Sequence, residues 1–225
     1  MLMRDVLGGM NLFRDVEEPV LEALANAAVL RSYGRGEIIF HKEDAKVLFY
    51  ALVEGRVKIF RATAGGKEQT LYLVEPGDPF CLCALLGGKG QPVSASALVP
   101  SKALVIAGGE LMDAGRESPE LLRNIISILN RRLMTSMQMV EDLALRDIPQ
   151  RLASLLLHAM NLLDRPQEEI RLSVPKHEVA KILGTTPESV SRMLAKFSAD
   201  GLVAVQGRVI RILDREALAE LAESG

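Results

Sequence analysis

Up to about residue 117, the apolar side chains come in short runs in which Val, Ile, Tyr and Phe alternate with polar residues. Alternation with a period of two is typical of half-buried strands, and the Gly, Pro and Asp residues at the breaks are typical of turns. The pattern predicts a short helix over residues 19–28, followed by a β-roll or sandwich around a small cavity. The predicted strands lie in EIIFHKED, LFYALVEGRVKIFRA, EQTLYLVEPGD and VSASALVPSKALVIA.

Beyond Ser118 the apolar period changes to a heptad. Ser118 followed by Pro119 is a typical helix start. A stripe of two positions per heptad is narrower than the face that a globular helix buries, so it predicts a dimerisation helix with Ser136 as its polar position. The alternative is a stripe that packs on the chain's own β-domain. The predicted dimer seam consists of Leu122, Ile126, Leu129, Leu133, Ser136, Val140 and Leu143.

The rest of the chain combines helical and strand patterns. Asp147 is a good N-cap for a helix, which is followed by a short strand, IRLSV, and a helix, KHEVAKIL. The turn Gly184–Thr185 leads to an amphipathic helix that begins after Thr186 and ends at Gly201. Two strands, LVAV and RVIRIL, follow, joined by Gln206–Gly207. This order predicts a winged helix-turn-helix.

The predicted fold is therefore α+β, with a β-roll at 1–117, a dimerisation helix at 118–146 and a winged helix-turn-helix at 147–225. The charge distribution distinguishes the predicted winged helix-turn-helix from the rest of the chain. Residues 171–213 hold seven Lys or Arg against three Asp or Glu, a net charge of +4, whereas the whole chain has a net charge of -2. This asymmetry indicates one module that faces nucleic acid.

The composition, 48% hydrophobic and 25% charged, is that of a globular protein. No apolar run approaches the length of a membrane span, and the N-terminus lacks the pattern of an export signal. Two cysteines, Cys81 and Cys83, are too few for a disulfide framework. We therefore expect a cytoplasmic protein without a membrane partner.

Three local runs stand in an order that resembles one family. They are LVEGRVKIF in the predicted roll, EPGD before the effector-binding stretch of the same roll, and TPESVSRML in the amphipathic helix. With the order of roll, long helix and winged helix-turn-helix, the chain resembles the CRP/FNR family of bacterial transcription regulators over nearly its full length. The resemblance implies a homodimer that binds an inverted-repeat operator in double-stranded DNA, contacts RNA polymerase and senses an effector in the roll.

The resemblance to the FNR branch assigns base contacts to Glu188, Ser191 and Arg192. The chemistry fits, because arginine donates twice to guanine, glutamate accepts from the cytosine amino group, and serine contacts a base or a thymine methyl group. The alternative for Glu188 is a capping box with Thr185, which would occupy its carboxylate. Lys196 and Arg208 are predicted phosphate contacts or solvated surface. The DNA-binding candidates are Thr186, Glu188, Ser189, Ser191, Arg192, Lys196 and Arg208.

The predicted effector pocket departs from that of cyclic-AMP receptors, which pair an Arg with a Ser around the ligand's phosphate. Here Ser94 matches the Ser, but Val93 stands at the Arg position, and Ser136–Met137 replaces a Thr-Ser pair. A buried phosphate without a cation is poorly compensated, which argues against cAMP. The pocket candidates are Phe80, Cys81, Leu82, Cys83, Val93, Ser94, Leu133, Ser136 and Met137.

Cys81 and Cys83 are expected on one face of a strand. Two cysteines cannot supply the four ligands of an iron–sulfur cluster within one chain. We interpret them as small core residues, with a thiol sensor or a metal site shared with a partner as the alternative.

The runs GKEQTLYLV, VPSKALVI and ILDREAL are similar to DNR and HcpR regulators, which respond to nitric oxide and are linked to haem. That branch implies a haem cofactor and a role in nitrosative stress. The candidate axial ligands are His41, Cys81, Cys83 and Met137. The alternative for His41 is an exposed turn residue.

Two other classes of function remain as alternatives. A cupin-like metal-dependent enzyme needs several histidines on neighbouring strands, and the predicted roll holds only His41. A scaffold module that does not bind DNA leaves the basic segment and the polar helix face unexplained. We therefore expect a regulator and not an enzyme.

Overall fold

The computed structural model describes residues 3–87, 90–161, 169–171 and 174–223. The chain forms two compact units, 1–135 and 136–225. The boundary lies inside the long helix that we expected to form a segment of its own.

The first unit contains two antiparallel four-stranded sheets, and the predicted strands are confirmed. One sheet has the order β1-β8-β3-β6, and the other has the order β2-β7-β4-β5. The strands are β1 (Val29–Tyr33), β2 (Ile38–Phe40), β3 (Leu48–Glu54), β4 (Val57–Ala62), β5 (Glu68–Val74), β6 (Pro79–Phe80), β7 (Ser94–Ala97) and β8 (Ser101–Ala107).

An aromatic stack fills the space between the two sheets. The ring centroids of Tyr50 and Phe80 are 5.1 Å apart, and Phe40 lies 5.2 Å from Tyr50. Val57 and Ile59 of β4 belong to the same core and are fully buried. The interior of the roll is therefore packed with large side chains.

A second core covers the other face of the first sheet, where Phe49 and Leu104 meet short helices. The predicted helix 19–28 is confirmed as α2, whereas the sequence patterns did not predict α1, α3, α4 or the 3₁₀ helix Asn11–Phe13. The helices are α1 (Met3–Gly8), α2 (Glu18–Ala27), α3 (Leu82–Gly87) and α4 (Gly108–Glu117).

The long helix α5 (Pro119–Leu145) begins as predicted, because the Ser118 hydroxyl accepts a hydrogen bond from the Leu121 backbone N–H at 3.2 Å. Its inward stripe consists of Leu121, Ile125 and Ile128, which are buried in the second core. This stripe lies one residue away from the predicted seam.

The second unit has the predicted order of elements, with a further C-terminal helix. Asp147 caps α6 as expected: its carboxylate accepts from the Gln150 N–H at 3.0 Å, and the Gln150 side chain accepts from the Asp147 N–H at 2.7 Å. The elements are α6 (Ile148–Asn161), β9 (Glu169–Arg171), α7 (Lys176–Leu183), α8 (Pro187–Ala199), β10 (Val203–Gln206), β11 (Val209–Ile212) and α9 (Arg215–Glu223).

The three strands of this unit form a sheet in the order β10-β11-β9. Of the expected strand IRLSV, residues 170–171 lie in β9 (Glu169–Arg171), and residues 172–173 lie outside the described part of the chain. None of the described helices is long and apolar enough to span a bilayer.

Candidate nucleic-acid interface

A tight turn separates α7 from α8. Gly184 has a φ of 67°, which is the left-handed conformation that glycine adopts without strain. The backbone N–H groups of Gly184 and Thr185 both donate to the carbonyl of Ala180. The predicted helix-turn-helix is confirmed at this point.

The recognition helix α8 has a buried and an exposed face. Val190, Leu194 and Phe197 are buried and fix the helix on its unit. The opposite face exposes the side chains of Glu188, Ser191, Arg192 and Lys196. Three side chains whose chemistry allows hydrogen bonds to base edges, Glu188, Ser191 and Arg192, therefore lie together on an accessible face.

The N-cap of α8 is Thr186, as predicted, and its hydroxyl accepts from the Ser189 N–H at 3.2 Å. The residue at the third helical position is therefore Ser189 and not Glu188, so the capping box of Thr185 and Glu188 is wrong. The carboxylate of exposed Glu188 has no hydrogen-bond or ion-pair partner in the described part of the chain.

Ser189 is half-buried and belongs to the cap. The Thr186 hydroxyl donates to the Ser189 Oγ at 3.2 Å, and the Arg192 Nη2 lies 3.4 Å from the same oxygen. Thr186 and Ser189, both DNA-contact candidates, thus have structural roles before any DNA is bound.

The wing carries Arg208 at its tip. Val205 and Gln206 of β10 pair with Ile210 and Val209 of β11, so the turn consists of Gly207 and Arg208 rather than Gln206–Gly207. The Arg208 side chain is exposed, as a phosphate contact requires.

The effector-pocket candidates differ in their surroundings. Phe80, Cys81 and Val93 contribute to the core between the sheets. Leu82 packs into the second core instead, and the Ser94 hydroxyl accepts from the Lys42 N–H at 2.9 Å. Four candidates are exposed: Cys83, Leu133, Ser136 and Met137.

The core between the two sheets has a neighbouring cation, Arg132, that the sequence patterns do not predict. Arg132 of α5 donates to the carbonyl of Pro79, and its guanidinium lies 4.3 Å from the centre of the Tyr72 ring. Arg132 follows Ile128 by four residues and continues the inward stripe of α5, which can be recognised only once the buried side of the helix is known.

The two cysteines occupy different surroundings, so the expectation of a shared strand face is wrong. Cys81 precedes α3 with a φ of 69° and is buried, whereas Cys83 lies within α3 and is exposed. Burial raises the pKa of the Cys81 thiol well above its usual range, and Arg132 opposes this rise in part.

The two other haem-ligand candidates, His41 and Met137, are exposed. His41 is exposed in a turn, where its backbone N–H donates to Asp44, and Met137 is exposed on α5. Within the described ranges, no three His, Cys, Asp or Glu side chains are grouped as a metal site requires.

The predicted seam forms a largely exposed stripe on α5. Ile126, Leu133 and Val140 are 66%, 56% and 67% exposed. Leu129 is the exception, because it is half-buried against the second core. A stripe of large apolar side chains in water is unfavourable unless another surface covers it.

Two family models match the chain. Residues 30–117 match the model of a cyclic nucleotide-binding domain, and residues 150–221 match that of a Crp-like helix-turn-helix domain. The first match covers the two sheets with α3 and α4, and the second covers α6 to α9.

Two known transcription regulators are similar to most of the chain. The CRP-like cAMP-activated global transcriptional regulator of Mycobacterium tuberculosis is 26% identical, over 98% of this chain and 100% of that protein. The fumarate and nitrate reduction regulatory protein of Escherichia coli is 27% identical, over 84% of this chain and 76% of that protein.

Among solved structures, a CooA mutant from Carboxydothermus hydrogenoformans has the same fold, with a TM-score of 0.80, 24% identity and coverage of 94% of each chain. The domain order, the exposed polar face of α8 and these relatives agree. The chain belongs to the CRP/FNR family of DNA-binding transcription regulators, which carry an effector-binding domain and are not enzymes.

Proposed function

We propose that this regulator binds an inverted-repeat operator as a homodimer, with one α8 in each of two successive major grooves. The observation that carries the proposal is the exposed face of α8, on which Glu188, Ser191 and Arg192 lie side by side. Arg192 donates to guanine, Glu188 accepts from cytosine, and Ser191 contacts a neighbouring base. Lys196 and Arg208 contact phosphates on either side.

The homodimer is supported by the exposed stripe on α5. Burying a Leu or Ile side chain is favourable by roughly 1.5–3 kcal/mol of free energy. Packing the seams of two α5 helices against each other would therefore stabilise the dimer. Ser136 is the polar position within the apolar seam, where one polar residue helps to fix the register.

The operator follows from this geometry. Two recognition helices related by a two-fold axis need half-sites about 10 bp apart, centre to centre. The resemblance to the FNR branch points to half-sites of the TTG type, with the guanine opposite Arg192. Bound to the operator, the dimer acts in the cytoplasm through contact with RNA polymerase.

For the effector we propose a molecule other than cAMP, although relatives include proteins named as cAMP-activated. Val93 supplies no charge at the position where the cyclic-AMP receptors have an Arg. Arg132, a cation that the structure adds at this core, already donates to the carbonyl of Pro79 and lies over the Tyr72 ring. Phe80 and its aromatic neighbours occupy the space between the sheets.

A haem or nitric oxide effector stays a prediction based on the runs shared with DNR and HcpR regulators, and no observed grouping of ligands favours it. Absorption spectra of the purified protein, before and after haem and nitric oxide are added, test it. A Soret band that saturates at one haem per chain would support the haem-linked branch, and spectra that equal those of free haem would exclude it.

Selection from random DNA duplexes tests the proposed function itself. We expect the unmodified chain to enrich an inverted repeat with half-sites about 10 bp apart. Enrichment of a single, unrepeated half-site would contradict the homodimer, and enrichment of no sequence would contradict sequence-specific binding.

A further inference from the structure

The guanidinium of Arg151 joins two parts of the second unit. Arg151 lies on the first turn of α6 and is half-buried. Its Nη1 donates to the carbonyl of Leu183 at 2.7 Å, and its Nε donates a longer bond of 3.4 Å to the carbonyl of Asp147. One side chain thus links the start of α6 to the end of α7.

The acceptor at Leu183 lies directly before the turn of the helix-turn-helix. Leu183 is the last residue of α7, and the carbonyls of a final helical turn have no partner within the helix. A positive side chain at a helix C-terminus is also favoured by the helix dipole. The hydrogen bond from Arg151 therefore satisfies the Leu183 carbonyl, directly before the turn that leads to α8.

Two residues, Gly184 and Thr185, separate Leu183 from the N-cap Thr186. Because the turn is this short, a shift of the Leu183 carbonyl is passed to the first turn of α8, where Glu188 lies. Hydrogen bonds to base edges need placement within about 0.5 Å. Small displacements of this turn therefore affect base contacts more than phosphate contacts, which long flexible side chains make.

We propose that Arg151 is a positioning residue for base recognition: it holds the turn before α8 in place without touching DNA. This inference rests on the proposed function, since it assigns a role in the same recognition. It predicts that loss of the guanidinium lowers the preference for the operator over random DNA, whereas binding to random DNA falls no further than in a variant that loses the same charge elsewhere.

Arg151→Met tests the proposal, because methionine keeps the apolar stem and removes the donors. Arg146→Met is the matched control: it removes the same charge near the same end of α6, but among the described residues the Arg146 side chain pairs only with Asp142 in the last turn of α5, at 3.3 Å. Both variants change the long-range attraction to DNA equally, so any difference between them reports the bonds to Leu183 and Asp147.

The measurement is the affinity for the selected operator and for a scrambled duplex at one salt concentration, on protein shown to be folded by circular dichroism. We expect the ratio of the two affinities to be about tenfold lower for Arg151→Met than for Arg146→Met, the size of one lost hydrogen bond to a charged group. Equal ratios in the two variants would overturn the proposal.

If Arg151→Met does not fold, the same measurement is made with Arg151→Lys. Lysine reaches one of the two carbonyls but does not hold both, so its ratio is expected to lie between those of the unmodified chain and Arg151→Met, and below that of Arg146→Met. A ratio equal to the control's would overturn the positioning role. If the unmodified chain prefers no operator, the proposed function itself is overturned. If it prefers an operator but Arg151→Met and Arg146→Met have equal ratios, only the positioning role of Arg151 is overturned.

Discussion

The Thr186 hydroxyl accepts the backbone N–H of Ser189, and this one bond decides which residues of α8 are available to DNA. It makes Ser189 the third helical residue and leaves Glu188 outside the cap. The face that we propose for base contacts thus depends on where the first turn of α8 begins, one residue later than a capping box with Thr185 would place it.

Thr186→Ala is therefore expected to destabilise the second unit by about 1 kcal/mol, the usual cost of removing an N-cap hydroxyl. Thr186→Ser keeps the acceptor oxygen and is expected to have little effect. Thermal denaturation of the two variants and the unmodified chain measures the difference. Equal melting temperatures for Thr186→Ala and Thr186→Ser would contradict the assigned cap.

The dimer seam is tested by Ile126→Glu combined with Leu133→Glu, because both side chains are largely exposed in one chain. Carboxylates at these positions repel across a seam, so we expect monomers in sedimentation experiments. Leu129 is left unchanged, since it also packs against the second core and its substitution would disturb the fold.

The control for the seam is Arg131→Glu, at an exposed position of α5 that lies outside the seam. This variant is expected to remain dimeric. A dimer in the double variant, with the same sedimentation coefficient as the control, would contradict the seam.

The domain order and the helix-turn-helix were predictable from the sequence, because both are encoded in local period and turn chemistry. The α8 stretch, for example, shows its cap, its buried stripe and its terminal Gly201 within twenty residues. Asp214 caps α9 in the same local way, with its carboxylate 2.9 Å from the Ala217 N–H, so that helix could have been predicted.

Tertiary contacts account for most of what was not predicted. A heptad stripe on α5 does not tell which side faces the sheets, and the inward position of Arg132 depends on that packing. The spacing of Cys81 and Cys83 predicts a strand, but the six residues Leu82–Gly87 form the helix α3. A helix this short is marginal by itself and is stabilised by packing, with Leu82 in the second core.

The two thiols are expected to differ in reactivity. Cys83 is exposed, whereas burial both covers the Cys81 thiol and raises its pKa, so Cys81 stays protonated at neutral pH. Titration with a thiol reagent at pH 8 is expected to modify one cysteine per folded chain and two after denaturation. Cys83→Ser serves as the control, with no rapid reaction expected. Rapid modification of Cys81 in the folded chain would contradict its burial.

Cyclic AMP is expected to bind weakly, if at all, to the unmodified protein, because Val93 offers no charge to the phosphate. Isothermal titration calorimetry with cAMP measures this directly. Val93→Arg is not expected to create tight binding, since Met137 still replaces a hydroxyl that cyclic-AMP receptors use. Tight binding of cAMP to the unmodified chain would contradict the proposed pocket chemistry.

Our central proposal is that α8 recognises bases. It is tested by comparing Arg192→Ala, which removes a proposed base contact, with Lys196→Ala, which removes a proposed phosphate contact. Loss of one bidentate contact to guanine costs about 1–3 kcal/mol, and a dimer loses two. Loss of a phosphate contact instead weakens all sequences alike and reduces the salt dependence.

The decisive measurement is selection from random duplexes with the unmodified chain and both variants at one salt concentration. We predict that Arg192→Ala no longer prefers guanine at one position of each half-site, with unchanged binding to random DNA, and that Lys196→Ala selects the original motif with lower affinity throughout. An unchanged guanine preference in Arg192→Ala would contradict the account.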